Sequence, residues 1–91
     1  MTFTYPAIFT KTDKGYTGYF PDLEGIEVFG ETMELAIREA RDEAFNWITV
    51  ELEEDDPEMP TITDISDMKL EPNQEAREIE VHYRFFEGWD E

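Results

Sequence analysis

Apolar and polar residues alternate along the first segment of the chain. Residues 3–9 carry an aromatic or aliphatic side chain at every second position, with threonines on the opposite side. This period of two predicts a half-buried β-strand, in which Pro6 favours an edge or a bulge because proline cannot donate to a ladder. Turn residues at 13–15 and an aromatic run at 16–20 predict a hairpin, and residues 26–29 predict a third strand.

The period changes after Thr32, which is a plausible N-cap because its hydroxyl can accept from an amide of the first helical turn. Residues 33–52 predict an amphipathic helix of about five turns, with an apolar stripe on one face and charged residues on the other. Alanines within the stripe would let the helix backbone lie close to a sheet. The stripe comprises Met33, Ala36, Ile37, Ala40, Ala44, Trp47 and Ile48.

Four apolar residues of the predicted helix lie off this stripe and need cover from another part of this chain or from another chain. We expect them to form an oligomer interface, in a homodimer or a higher even-numbered assembly, because a four-stranded sheet also has two open edges. These residues are Leu35, Phe45, Val50 and Leu52.

The last element predicted is a strand at residues 78–85, in which Ile79, Val81, Tyr83 and Phe85 share one face. A connection without regular periodicity precedes it, with a short turn near 64–68. The element order β-β-β-α-β predicts an α+β fold, a two-layer sandwich with one long helix on one face of the sheet. A right-handed crossover would set the fourth strand parallel to the first, in the sheet order 3-2-1-4.

The length and amino-acid composition of the chain exclude several classes of protein. The 91 residues include 24 acidic and 7 basic side chains, a net charge of −17, and no cysteine. This charge disfavours direct binding to DNA or RNA, which requires cations to neutralise phosphates. The length predicts one domain over residues 1–91. No apolar run approaches the roughly 20 residues of a membrane span, and no signal peptide is evident, so we expect a cytoplasmic protein.

Catalytic chemistry finds little support in the sequence. His82 is the only histidine and Ser66 the only serine, and neither lies in the context of a catalytic triad. Residues 1–10 hold no acid that could bridge two metal ions, and the acidic run at 53–58 lacks the ligand spacing of an EF-hand. We expect no enzymatic activity, no cofactor and no metal site.

Two segments are candidates for contact with a partner protein. The first is the acidic run, for which the alternative is a solvated loop. The second is the C-terminal tail, whose aromatic residues are out of phase with the last strand. These aromatic residues could anchor an interface or fold back onto the chain. The predicted partner-binding residues are Glu53, Glu54, Asp55, Asp56, Glu58, Phe86 and Trp89.

Motifs spread over nearly the whole chain resemble the HicB-like antitoxin family. Tyr5-Pro6-Ala7-Ile8-Phe9 resembles its opening strand, and Phe20-Pro21-Asp22-Leu23-Glu24-Gly25 its turn of the form Phe-Pro-Asp-Leu-x-Gly. Gly30-Glu31-Thr32-Met33-Glu34-Leu35-Ala36 matches its helix start. Met59-Pro60-Thr61 and residues 79–85 resemble the proline-containing segment and the closing strand that follow.

The resemblance implies a partial RNase H-like fold and the antitoxin role of a type II toxin–antitoxin system. Members neutralise HicA-type toxins, small basic ribonucleases that cut messenger RNA, and are not regarded as nucleases themselves. Many also carry a C-terminal DNA-binding domain; six residues follow Phe85 here, so we expect no such domain and no direct autoregulation. Two alternatives remain: a homo-oligomeric binding module without a toxin, and a vestigial hydrolase using carboxylates and Mg²⁺ or Mn²⁺.

Overall fold

A computed structural model describes residues 2–54 and 59–82 of the chain. Its regular elements are four strands, one long α-helix and one turn of 3-10 helix, and the sheet and helix form two layers. In chain order they are β1 (Thr2–Thr12), β2 (Gly15–Tyr19), β3 (Glu27–Gly30), α1 (Met33–Leu52), the 3-10 turn (Ile65–Asp67) and β4 (Gln74–His82).

The four strands form one sheet in the order β3-β2-β1-β4, which confirms the predicted α+β fold and strand order. β1 and β2 form the predicted hairpin, pairing from Ile8↔Tyr19 to Thr12↔Gly15. Because this pairing begins at Ile8, Pro6 has a partner strand on the β4 side alone. Pro6 therefore lies in a part of the central strand that is paired on one side only, where a missing N–H is tolerated.

The direction and the start of β4 differ from the prediction. β4 begins at Gln74, four residues before the predicted start, and pairs antiparallel with β1 from Thr2↔His82 to Thr10↔Gln74. The connection between α1 and β4 is long enough to allow this direction, because an extended chain covers roughly 3.3 Å per residue. The chain re-enters the sheet beside the end of β1, where the amide of Lys11 donates to the carbonyl of Asn73 at 2.9 Å. The early start lacked a sequence signal because residues 74–77 are mostly polar.

α1 lies on one face of the sheet and buries the predicted stripe. Thr32 is its N-cap, and the threonine hydroxyl accepts from the amide of Leu35 at 3.1 Å. Ala36, Ala40, Ala44 and Ile48 are fully buried, and Met33, Ile37 and Trp47 pack at the margin of the core. Burial of a side chain such as Ile48 contributes roughly 1.5–3 kcal/mol, so this face stabilises the helix far more than its intrinsic propensity does.

The sheet contributes the other half of the core and lies close to the helix backbone. Buried side chains on this side of the core include Tyr5, Phe9, Ile79 and Val81 from the strands and Leu23 from the turn that follows β2, all at most 2% exposed. The two layers meet closely at Gly30, where an added Cβ would lie 2.2 Å from the backbone nitrogen of Ala36. Glycine at the end of β3 is therefore required by the short connection into α1.

Candidate functional site

The outward face of α1 is a charged surface. Its middle turns present acids together with two arginines, all exposed, and Glu34 lies in the first turn, where an acid interacts favourably with the helix dipole. The last turn carries no basic residue. The C-terminal half of the helix therefore combines its own carbonyl dipoles with side-chain carboxylates, and both favour a positive charge nearby. The exposed residues of the middle turns are Arg38, Glu39, Arg41, Asp42 and Glu43.

A cleft opens beside this half of the helix. It has a volume of about 380 Å³ and lies between α1 and the turn that joins β2 to β3. The indole N–H of Trp47 donates to the backbone carbonyl of Glu24 at 3.2 Å, which ties the helix to that turn. Its lining combines apolar and acidic side chains and includes Glu24, Ile26, Glu43, Trp47, Val50 and Glu51. We name this feature the Trp47 cleft.

The connection that follows α1 is fixed to the sheet layer by two sets of hydrogen bonds. The carboxylate of Asp22 accepts from the amide of Thr63 at 2.8 Å and from its hydroxyl at 2.6 Å. The hydroxyl of Tyr5 donates to the carbonyl of Pro60 at 2.9 Å. Burial, and secondarily the negative charge of Asp22, raise the pKa of the Tyr5 hydroxyl, so this donor keeps its proton over the physiological range.

The next turn of the connection is capped locally. The carboxylate of Asp64 accepts from the amide and the hydroxyl of Ser66, both at 2.9 Å, and starts the 3-10 turn. The hydrogen bond from the Ser66 amide is the main cause that lowers the pKa of the Asp64 carboxyl, since it stabilises the ionised form. The predicted turn at 64–68 is therefore present.

The one histidine of the sequence lies among exposed polar groups. His82 is exposed on β4, where its Nδ1 lies 3.2 Å from the hydroxyl of Thr2 and its Nε2 3.5 Å from a carboxylate oxygen of Glu80. Within residues 2–54 and 59–82, no three or more histidine or acidic side chains converge in a way that could hold a metal ion. In the same part of the chain, no helix has the length and apolar character that a membrane crossing requires.

Comparison with known proteins identifies the family. The family model described as HicB-like antitoxin of bacterial toxin–antitoxin systems matches residues 5–81. The chain belongs to the HicB-like antitoxin family. Among solved structures, a chain of a toxin–antitoxin complex from Streptococcus pneumoniae is 27% identical with a TM-score of 0.68, over 90% of this chain and 70% of that chain. A search of curated proteins found no match.

The structure gives a physical role to the motif residues of this HicB-like chain. In the Phe-Pro-Asp-Leu turn, Phe20 and Leu23 are buried in the core and Asp22 holds the connection through Thr63. In the segment after the helix, Pro60 provides the carbonyl that Tyr5 binds. The spacing of these motifs along the sequence thus corresponds to contacts that fold the connection back onto the sheet.

The predicted partner-binding residues are only partly described. Glu53 is the C-cap of α1, and both it and Glu54 are exposed just beyond the Trp47 cleft. The remaining five lie outside the described residues: Asp55, Asp56, Glu58, Phe86 and Trp89.

The residues predicted for an oligomer interface lie on α1 in differing environments. Leu35, Phe45 and Val50 are 41%, 40% and 62% exposed, whereas Leu52 is half-buried and packs against the core of its own chain. They do not form one continuous stripe, and Val50 belongs to the wall of the Trp47 cleft.

Sequence analysis missed the cleft and the contact between Asp22 and Thr63. The periodicity assigned Trp47 to the buried stripe and gave no indication that its indole would reach the turn near Glu24. The missed signal was compositional: acids flank an aromatic and an aliphatic residue in the segment 43–51. No local pattern pairs Asp22 with a residue 41 positions away.

Proposed function

We propose that this chain is the antitoxin of a type II toxin–antitoxin pair and that it neutralises a small, basic HicA-type ribonuclease by binding it. The family match over residues 5–81 carries this proposal. The similarity to a chain of a toxin–antitoxin complex supports it. The role requires no chemistry from this chain, so we propose that it is not an enzyme and that residues 1–91 act as one cytoplasmic domain.

The electrostatics suit this role. The second half of the chain, residues 46–91, holds 15 acidic and 3 basic residues, against 9 and 4 in the first half. A ribonuclease must present a positive surface to RNA, and an acidic protein can compete for that surface. Complementary charge also accelerates association, which matters for an inhibitor that must reach a toxin before its substrate does.

Co-expression with a small basic protein, where one is encoded next to this chain, tests the proposal. Growth arrest by the basic protein alone, relief of that arrest by this chain, and a complex that survives purification are the expected results. An adjacent protein that arrests growth regardless of this chain, with no complex formed, overturns the proposal. Binding without any effect on messenger RNA cleavage contradicts neutralisation specifically.

We further propose that the chain self-associates, because Leu35 and Val50 are exposed and the described sheet ends in the open edges of β3 and β4. This observation also favours the second candidate function, a homo-oligomeric binding module without a toxin. Light scattering at micromolar concentration should give an even multiple of 10.8 kDa. A mass of one chain would contradict self-association, and an oligomer with no basic partner gene nearby would favour the second candidate.

A further inference from the structure

The residues that line the Trp47 cleft favour one kind of side chain as its occupant. Three of its lining residues are apolar: Ile26 is buried, Trp47 is half-buried, and Val50 is 62% exposed. A volume of about 380 Å³ is large enough for a long side chain, and an apolar wall favours an occupant with aliphatic carbon. An exposed valine beside a tryptophan leaves apolar surface in water that a partner would cover.

The charge of the lining restricts which kind of side chain can bind in the cleft. Glu24, Glu43 and Glu51 all line the cleft, and its described lining includes no lysine, arginine or histidine. An anionic group would be repelled there, and a purely apolar group would desolvate the carboxylates of Glu24 and Glu43 and offer them no cation in exchange. A side chain with an aliphatic stem and a cationic end satisfies both parts of the wall, and a cation beside a tryptophan ring gains cation–π attraction.

We propose that the Trp47 cleft receives an arginine or lysine side chain from the surface of a basic partner protein. The inference rests on the proposed function, since it assigns part of the toxin-binding surface. The carbonyl dipoles at the end of α1 add to the attraction, because the cleft lies along the last turns of the helix. Glu53 and Glu54, exposed just beyond the helix, extend the same negative field.

A lysine placed in the cleft tests this assignment. In Val50→Lys the new ammonium should repel an incoming cation, and a lysine in the last turn of a helix is favourable for folding. The matched control is Ile62→Lys, which makes the same change from a β-branched aliphatic residue to lysine at a 56% exposed position of the connection, outside the lining of the cleft. Calorimetry should compare both with the wild-type chain, using a catalytically inactive form of the toxin.

We expect Val50→Lys to raise the Kd by about tenfold or more and Ile62→Lys to change it by less than about twofold. Equal affinities for the two variants overturn the cleft assignment while the proposed function stands. If Val50→Lys disrupts self-association and leaves toxin binding unchanged, the occupant is a second copy of this chain, which also overturns the proposal.

A second measurement does not depend on the toxin. The chain has two tryptophans, so the indole N–H signal of Trp47 can be assigned with a Trp89→Phe variant and then followed by NMR. The probe is a short acetylated peptide of alternating arginine and leucine, and its control replaces each arginine with uncharged citrulline. The arginine peptide should shift the Trp47 indole and nearby amides, and the citrulline peptide should not.

Two results would overturn the assignment in this experiment. One is an absence of shifts at Trp47; the other is shifts of equal size on acidic segments throughout the chain, which indicate nonspecific attraction. Localised shifts at Trp47 together with no complex in the co-expression experiment would reject the proposed toxin partner and retain the cleft as a site for basic side chains. The two failures are therefore distinguishable.

Discussion

Asp22 links two segments that are far apart in the sequence. Its two carboxylate oxygens accept from the amide and the hydroxyl of Thr63, so both oxygens of one half-buried side chain have partners on the connection. Hydrogen bonds to an ionised acceptor are stronger than neutral ones and contribute roughly 1.5–3 kcal/mol each. This carboxylate therefore positions the connection beside the turn at the end of β2.

Replacing Asp22 with asparagine should lower the free energy of unfolding by about 1–2 kcal/mol, because the amide retains one acceptor oxygen and loses the charge. Urea denaturation near neutral pH measures the change. Asp13→Asn is the matched control: it makes the same substitution in the exposed turn between β1 and β2, and it should stay within about 0.5 kcal/mol of wild type. Equal losses in both variants would show that net charge, and not the contact with Thr63, determines the effect.

Tyr5 makes the stability of this same region depend on pH in the alkaline range. Its raised pKa means that the folded chain holds the phenol proton more tightly than the unfolded chain, whose tyrosines ionise near pH 10. The corresponding stability is fully present below about pH 10 and is lost as the pH rises through the folded-state pKa.

The difference in unfolding free energy between wild type and Tyr5→Phe should therefore be constant from about pH 8 to about pH 9. Towards about pH 11, the unfolding free energy of wild type should fall relative to that of Tyr5→Phe. Urea midpoints across this range measure it. Tyr19→Phe is the control, because Tyr19 is 42% exposed. A difference that stays flat to the highest pH would contradict the shifted pKa.

At the scale of the element, α1 depends on small residues facing the sheet. Ala36, Ala40 and Ala44 are each 0% exposed, so no space remains between the helix and the strands for a larger side chain. Ala40→Leu should destabilise the chain by about 1–3 kcal/mol through overpacking, although leucine is a good helix former. Thermal unfolding followed by circular dichroism measures this change.

The control for Ala40→Leu is Glu39→Leu, which introduces the same side chain one position earlier, on the exposed face. This variant should remain within about 0.5 kcal/mol of wild type. If the two variants have equal stability, the helix does not lie as close to the sheet as the buried alanines indicate.

Sequence periodicity predicted the elements better than their relative directions. The stripe from Met33 to Ile48 and the cap at Thr32 are local features, so the first and last residues of the helix could both be predicted correctly. The direction of β4 depends on long-range contacts of the connection, such as those of Tyr5 with Pro60 and of Asp22 with Thr63. Those contacts join residues more than 40 positions apart, and no local pattern records them.

The candidate site was less predictable for the same reason. Glu53 and Glu54 were evident as charge, but the Trp47 cleft exists only because α1 lies against the turn near Glu24. A helical period assigns a residue to a face of the helix and cannot tell whether the face continues into a cleft.

At the scale of the whole molecule, the net charge of −17 acts in two opposite ways. Within one chain, like charges repel and oppose the compact state; between this chain and a basic partner, the same charges attract. Among the described residues, the ion pair of Arg77 with Glu75 joins two exposed groups and contributes little. Most of the acidic charge therefore acts through its overall field.

Salt should consequently change folding and binding in opposite directions. Between about 0.02 M and about 0.2 M NaCl the screening length falls from roughly 20 Å to roughly 7 Å, which removes most of the repulsion between exposed carboxylates. The urea midpoint of the chain should rise over this range, and the Kd for the basic toxin should rise as well. Replacing NaCl with an uncharged osmolyte of equal osmolality controls for effects of solute other than screening. A Kd that is independent of salt while the urea midpoint rises would show that the acidic field does not contribute to binding, and would assign the affinity to apolar contacts.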